Sequence, residues 1–181
     1  MLKTDTSEKG LESLIVAALT GQDADGGPQS DGVVDKPAIP YGKLVYVQGD
    51  PSHYDRDHAV DLDKLLAFLR VTQPRVVEQL AIDADGPKRR EFLARLQGQV
   101  TARGVVDVLH NGIKHGPASV DLFYGTPSPG NIQAAQRYGA NVFSVTRQLR
   151  YSRDEAGLAL DLCLFINGLP VVTFELKNRL T

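Results

Sequence analysis

Helical periodicity through the first hundred residues, strand alternation after them, and a helical stretch set between strands predict a mixed α/β (α+β) fold. The 181 residues suit one domain, spanning 1–181, with enough chain to bury a real core. Neither an internal repeat nor a low-complexity tract interrupts it.

The elements follow in order. "SEKGLESLIVAALTG" puts apolar residues at 11, 14, 15, 18 and 19, the stripe of an amphipathic helix, with Thr6 or Ser7 to cap it and Gly21 to end it. Residues 22–42 are rich in Gly, Pro and Asp and read as a long loop. That length exceeds a neutral connector, so the loop is either disordered or functional. "DLDKLLAFLRV" reads as a helix, and "TQPRVVEQLAI" as another, with Thr72 as cap and Pro74 in the first turn. "KRREFLARLQGQVTARG" is a third, stopped by Gly104. "VVDVLHNGIKHG", "SVDLFYG" and "NVFSVTRQLRYS" alternate and carry turn residues, which predicts strands. "SPGNIQAAQRYGA" lies between them as a short helix or turn. The final strands, 158–166 and 170–177, are joined by "NGLP", a strong hairpin signal.

Composition narrows the function classes. Hydrophobic residues at 42% and charged residues at 23% are ordinary for a globular chain. No apolar run approaches the roughly 18–20 residues of a membrane span, and the charged N-terminus has no signal-peptide core behind it. One cysteine, Cys163, excludes an internal disulfide and suits a reducing cytoplasm. With 20 Lys and Arg against 22 Asp and Glu, net charge is −2, so bulk charge gives no support to nucleic-acid binding. Contact with DNA must then come from a local patch, a metal ion or partner subunits. The chain stops at "ELKNRLT", directly after its most charged strand, which reads as a boundary within a longer polypeptide.

The hairpin carries the chemistry. Side chains alternate along a strand, so Leu158, Leu160, Leu162, Leu164 and Ile166 share one face, as do Val172, Phe174 and Leu176. Both sets must meet one core, and a three-residue loop, Asn167 to Leu169, provides the register. Asp161 then lies directly across from Glu175, with Cβ atoms roughly 4.5–5.5 Å apart. Lys177 follows two residues on, and the face also holds Cys163 and Thr173. Opposed like charges destabilise a sheet. A divalent cation between them reverses that sign, and oxygen donors suit Mg²⁺ or Mn²⁺. Such a cation activates water and polarises a phosphoryl oxygen, with the Leu176 carbonyl close by. Lys177 orients the water or offsets charge on the phosphorus. These are the parts of metal-dependent phosphodiester hydrolysis. The plainer reading makes the same residues solvated charges on an edge hairpin. Against it, the apolar sequence on both sides marks central strands, where unpaired charge is costly.

An Asp on one strand and E-x-K on the next resembles the PD-(D/E)xK nuclease superfamily. More narrowly, "FSVTRQLRY", "FINGLP" and "FELKN", with weaker likeness through "TQPRVVEQL" and "SVDLFYGTPSPGN", resemble the N-terminal part of the type I restriction enzyme R subunit. The resemblance implies a restriction-endonuclease-like central mixed sheet flanked by helices. It puts the metal-binding acids on Asp161 and Glu175 and the catalytic lysine on Lys177. It adds Glu12 from the first helix, with Glu8 one turn earlier. It also implies a Mg²⁺- or Mn²⁺-dependent endonuclease acting on double-stranded DNA with methylase and specificity subunits. ATP would serve motor domains that lie beyond Thr181, and this portion alone would cut weakly or not at all. Leu160 stands where the superfamily's name has proline, and the family's Gln-x-x-x-Tyr motif falls after the last residue. Two rivals stay open: a non-catalytic module that docks DNA or partner subunits, and a stand-alone nuclease of the same superfamily.

Arg147 and Arg150 are candidates for backbone phosphates or for pairing with local acids. His53, His58, His110 and His115 read as surface histidines, and Cys163 as filler beside the site. Lys88, Arg89, Arg90 and Arg95, in "GPKRREFLAR", read as a solvated helix start. No Ser or Thr is placed with a His and an acid as a triad requires.

Overall fold

The computed structural model describes residues 8–21, 45–152, 154–155 and 157–177. Chain order is α1 (Glu8–Thr20), β1 (Val47–Gln48), a 3₁₀ turn (Pro51–His53), β2 (Tyr54–Asp55), β3 (Val60–Asp61), α2 (Leu62–Thr72), α3 (Pro74–Leu80), α4 (Pro87–Arg103) and α5 (Val105–Asn111). Then come β4 (Ile113–His115), β5 (Ala118–Val120), α6 (Ile132–Gly139), β6 (Phe143–Arg150), β7 (Ala159–Ile166) and β8 (Leu169–Phe174). The central sheet runs β1–β6–β7–β8, with β1 parallel to β6 and the other pairs antiparallel. The result is the mixed α+β architecture expected, a mixed sheet flanked by helices. The pairs β2–β3 and β4–β5 form separate small ribbons.

Three apolar clusters hold these parts. The largest gathers Leu65, Phe68, Leu69, Ile82, Phe92 and Leu96 with Ile113 and Val120, and reaches the hairpin tip through Leu169. The second packs Val16 of α1 against Val145, Leu162 and Leu164, and the third joins Leu149, Cys163 and Phe165. Each fully buried Leu or Phe contributes about 1.5–3 kcal/mol relative to exposure. On α1 the buried face is Glu12, Val16 and Thr20, spaced by four as helical geometry requires. Gly21, with φ +68, closes the helix as its N–H donates to the Ala17 carbonyl at 2.8 Å. Thr6, Ser7 and the 22–42 loop lie outside the described residues.

Several local expectations are corrected. Residues 105–111 form a helix, and strand begins only at Ile113. Val105, Val108 and Leu109 have i, i+3, i+4 spacing, and Val108 and Leu109 are buried while Val106 is 74% exposed. The β-branched run hid that period, and Gly104 and Gly112, with φ +83 and +62, punctuate its two ends. Thr72 is the last residue of α2, its hydroxyl donating to the Phe68 carbonyl at 2.8 Å; Gln73 flanks α3, with Pro74 first. Short strands also occupy residues 47–61, where none was expected.

The hairpin reaches its register by another route than the one expected. The turn is two residues long, Asn167 and Gly168, with φ +50 and +83, the positive pair that an Asn-Gly turn accommodates. Ile166 pairs with Leu169 and Phe165 with Pro170, but Leu164 pairs with Val172. Val171 is therefore an extra residue, a bulge next to a proline that has no N–H to give the ladder. The bulge adds back the one-residue shift that the shorter turn removes. Cys163 meets Thr173 and Leu162 meets Phe174, the register expected, and the pairing ends there, one residue short of Asp161 and Glu175. Val171 packs against the core in place of Val172, which is 43% exposed.

Asn167 fastens this turn. Fully buried, it donates from Nδ2 to the Leu122 carbonyl at 2.8 Å and to Asn141 Oδ1 at 3.0 Å. Its Oδ1 accepts the Val142 N–H at 2.7 Å, and its own N–H reaches the Val142 carbonyl. Gly168 sits against the start of α2, where a Cβ would fall 2.4 Å from the Asp61 carbonyl oxygen.

Candidate active site at the open end of the hairpin

β8 ends at Phe174, while β7 runs back to Ala159 beside β6. Asp161 occupies the place where the two hairpin strands part. Its Oδ2 accepts the Leu176 backbone N–H at 2.6 Å, and its Oδ1 lies 3.4 Å from Gln148 Nε2. The same nitrogen donates to Glu12 Oε2 at 3.1 Å. Glu12 Oε1 pairs with Arg147 Nε at 2.5 Å, and Arg147 Nη2 reaches Ser13 Oγ at 3.2 Å. Two carboxylates from opposite ends of the chain thus converge on one amide nitrogen.

The backbone at Gln148 makes this convergence. Its φ is +48, left-handed within a strand, and it is left out of a β6–β7 pairing that includes Arg147↔Leu162 and Leu149↔Leu160. That conformation costs a non-glycine residue about 1–2 kcal/mol. A left-handed residue also breaks the alternation of a strand. Leu160 accordingly packs with Leu149, Cys163 and Phe165, away from the Leu162 and Leu164 cluster whose face it was expected to share.

The candidate residues divide as follows. Glu12 is 3% exposed, unlike a solvated helical glutamate, and is joined to Asp161 through Gln148. Glu175 and Lys177 lie exposed just past the end of β8. Among the described residues, no three His, Cys, Asp or Glu side chains are gathered closely enough to hold a metal, so Glu175 does not complete a trio here. Carboxylate oxygens are the donor type of a hard divalent cation, but here Glu12 is paired with Arg147 and both acids are directed at the Gln148 amide. Glu12 and Asp161 are the residues that would hold such a cation. Arg147 is engaged by a local acid, the second of its two expected roles, while Arg150 ends β6 exposed. Gln148 went unnoticed in the sequence. Its signal was there in hindsight, a polar residue that falls opposite Asp161 when "VTRQLRY" is laid against "LALDLCLF".

Other polar groups serve the frame. Cys163 is fully buried, and burial pushes its thiol up to about 12, so it is no nucleophile. His58 is less superficial than expected, with Nδ1 2.8 Å from Asp55 Oδ2 in a largely covered pair. Arg89 ties the start of α4 to the Ile82 and Asp83 carbonyls. Among the described residues no helix is long and apolar enough to cross a membrane.

Fold and site together define a mixed α+β domain with a central mixed sheet, whose hairpin opens onto a pair of carboxylates. The family model described as type I restriction enzyme R protein N terminus matches residues 70–181. The chain belongs to that family. Comparison with curated proteins and with solved structures gave no match.

Proposed function

We propose that this domain serves DNA restriction as the nuclease module of a type I R subunit, hydrolysing phosphodiester bonds at the open end of the β7–β8 hairpin. The observation that carries the reading is the convergence of Glu12 and Asp161 where the strands part, with Glu175 and Lys177 exposed just past the end of β8. In this reading Glu12, Asp161 and Glu175 hold the cation, and the Leu176 N–H fixes one Asp161 oxygen so that the other faces the site. Lys177 orients the attacking water or offsets charge developing on phosphorus. Mg²⁺ or Mn²⁺, when bound, would supply Lewis acidity toward a phosphoryl oxygen and a more acidic water. Double-stranded DNA as substrate, methylase and specificity subunits as partners, and ATP consumed in motor domains all belong to this proposal. The net charge of −2 fits a domain to which partners deliver DNA.

A second reading, a docking module of the same fold that does not cut, has two observations in its favour. Among the described residues no metal-binding trio is assembled, and Arg147 already neutralises Glu12. The arrangement as it stands favours this reading. Titration with Mn²⁺ by calorimetry separates the two. A nuclease module binds Mn²⁺ and loses it in Asp161→Ala and Glu175→Ala, and the assembled complex bearing either change fails to cut plasmid. Full cleavage by the Glu175→Ala complex would rule the nuclease reading out.

A further inference from the structure

Charge is distributed unevenly along the chain. In α4, Lys88, Arg89, Arg90, Arg95 and Arg103 stand against one acid, Glu91, so this helix carries +4 of a chain whose total is −2, and the remainder carries −6. Helix stability does not account for this. Three of the cations follow Pro87 in the first turn, with no acid beside them, at the helix end where positive charge is unfavourable. Arg89 serves the frame through the Ile82 and Asp83 carbonyls. Lys88, Arg95 and Arg103 recur every seven or eight residues, about two turns, so they share one side of α4 over roughly 22 Å. β4 runs beside that side. Arg95 Nε donates to the Lys114 carbonyl at 3.4 Å, and Arg103 Nη1 to the Gly112 carbonyl at 3.2 Å. The exposed Lys114 side chain therefore joins the row. Lys88 and Arg103 are paired with Glu91 and Asp107, whereas Arg95 and Lys114 make no ion pair among the described residues.

We propose that Lys88, Arg95, Arg103 and Lys114 hold the phosphate backbone of double-stranded DNA, without a metal ion, on a face separate from the hairpin opening. A duplex carries one negative charge per about 1.7 Å of its axis, so a row of cations this long finds a phosphate for each member. Such contacts fix position without reading bases. The pairs to Glu91 and Asp107 are solvent-reached and therefore weak, and Lys88 and Arg103 exchange those carboxylates for phosphates at little cost. α4 and β4 rest on the largest apolar cluster, whereas Glu12 and Asp161 open beside the cluster of Val16 and Leu162. Duplex on α4 is thus held apart from the acids that would repel it. This rests on the DNA partner of the preceding reading, and on neither cutting nor a cation.

The test is fluorescence anisotropy of a short labelled duplex with the 181-residue chain, in EDTA, over a series of salt concentrations. The parent should bind, with log affinity falling linearly against log salt. Arg95→Gln combined with Lys114→Gln should melt within about 2 °C of the parent. It should bind roughly tenfold more weakly, with a salt slope shallower by about two. Arg95→Lys combined with Lys114→Arg keeps both charges and should bind as the parent does, which separates lost charge from lost shape. Arg150→Gln, at the exposed end of β6, should stay within about twofold of the parent. Parent-like binding by the glutamine pair, lost binding in the charge-keeping pair, or weakening by Arg150→Gln alone would each show that α4 does not hold the DNA. A parent that binds no duplex at low salt would overturn the assignment as well. Full cleavage by the Glu175→Ala complex ends the nuclease reading and leaves these affinities unchanged, so the two fail separately.

Discussion

Replacing Arg147 with Met tests whether Glu12 is held as a buried ion. The Glu12 side chain is 4% exposed and that of Arg147 is 34% exposed, so the pair is buried on its acidic side only. Removing one partner of a fully buried pair costs about 3–5 kcal/mol, because the remaining charge is left without compensation. Water reaches the guanidinium here, and Gln148 still donates to Glu12, so the expected loss is discounted to about 2–3 kcal/mol. Methionine keeps most of the stem volume, which limits the contribution of lost packing. For a chain of this size 1 kcal/mol moves the melting temperature by roughly 2–4 °C, so Arg147→Met should melt about 4–12 °C lower. Glu12→Gln, which keeps the shape and removes the charge, completes a double-mutant cycle in urea. Removing both charges should be milder than the two single costs combined, with a coupling of about 2 kcal/mol. Strictly additive effects, or a cost under about 0.5 kcal/mol for Arg147→Met, would show that Glu12 is not an ion held by this arginine.

Two further perturbations probe the frame. Asn167→Ala strands the Val142 N–H and the Leu122 carbonyl and puts alanine at φ +50, for an expected loss of about 3–5 kcal/mol in urea unfolding; a loss below about 1 kcal/mol would contradict the fastening role of this turn. The Cys163 thiol, raised from 9.0 to about 12 by burial, gives a pH signature. Above pH 9 the unfolded chain loses that proton while the folded chain keeps it, so stability falls as pH rises from about 9 toward 12, by at most ~1.4 kcal/mol per unit. Tyr54, raised chiefly by burial, acts in the same direction. The slope due to the thiol is therefore read as the difference between the parent and Cys163→Ala, and equal slopes would mean that the thiol is not buried.

Much of the fold was legible because its signals were local. The α1 helix, the Pro74 helix start, the Gly104 stop and the Asn-Gly turn depend on neighbouring residues, and all appear, although α1 buries Glu12, Val16 and Thr20 and leaves Leu11 and Leu14 of the expected stripe exposed. What stayed hidden depended on partners distant in sequence. Residues 105–111 carry β-branched side chains at helical spacing, and only their packing on the α2–α5 core decides between the two periods. The register of the β7–β8 pairs up to Leu162 and Phe174 could be worked out because both strands had to bury their leucines and valines together. That constraint fixes the sum of turn and bulge, but not their division, so a three-residue loop and a two-residue turn with a bulge were equivalent at the level of sequence. The bonds of Glu12 to Arg147 and Gln148 were invisible for a similar reason: more than a hundred residues separate them, and no periodicity links a helix to a strand it packs on.

The site depends on more of the chain than the family match covers. Residues 70–181 contain β6, β7 and β8, but Glu12 comes from α1, and the strand that extends the sheet on the far side of β6 is β1. Both belong physically to the same unit. Val16 packs on Val145, Leu162 and Leu164, which would otherwise expose an apolar strip beside the carboxylates. β1 aligns Val47 with Ser144, and the chain leaves it so close to β6 that a Cβ on Gly49 would fall on Thr146 Oγ1. α1 therefore has two tasks that cannot be separated by mutation of its apolar face alone. It covers the Leu162 face of the sheet, and it delivers a carboxylate that Arg147 and Gln148 are already placed to receive. A sheet that kept β6–β8 but lost α1 would keep Asp161 on its Leu176 N–H, yet Arg147 and Gln148 would lose their shared acceptor. The opening of the hairpin would then hold Asp161 without the Glu12 carboxylate that shares its Gln148 amide.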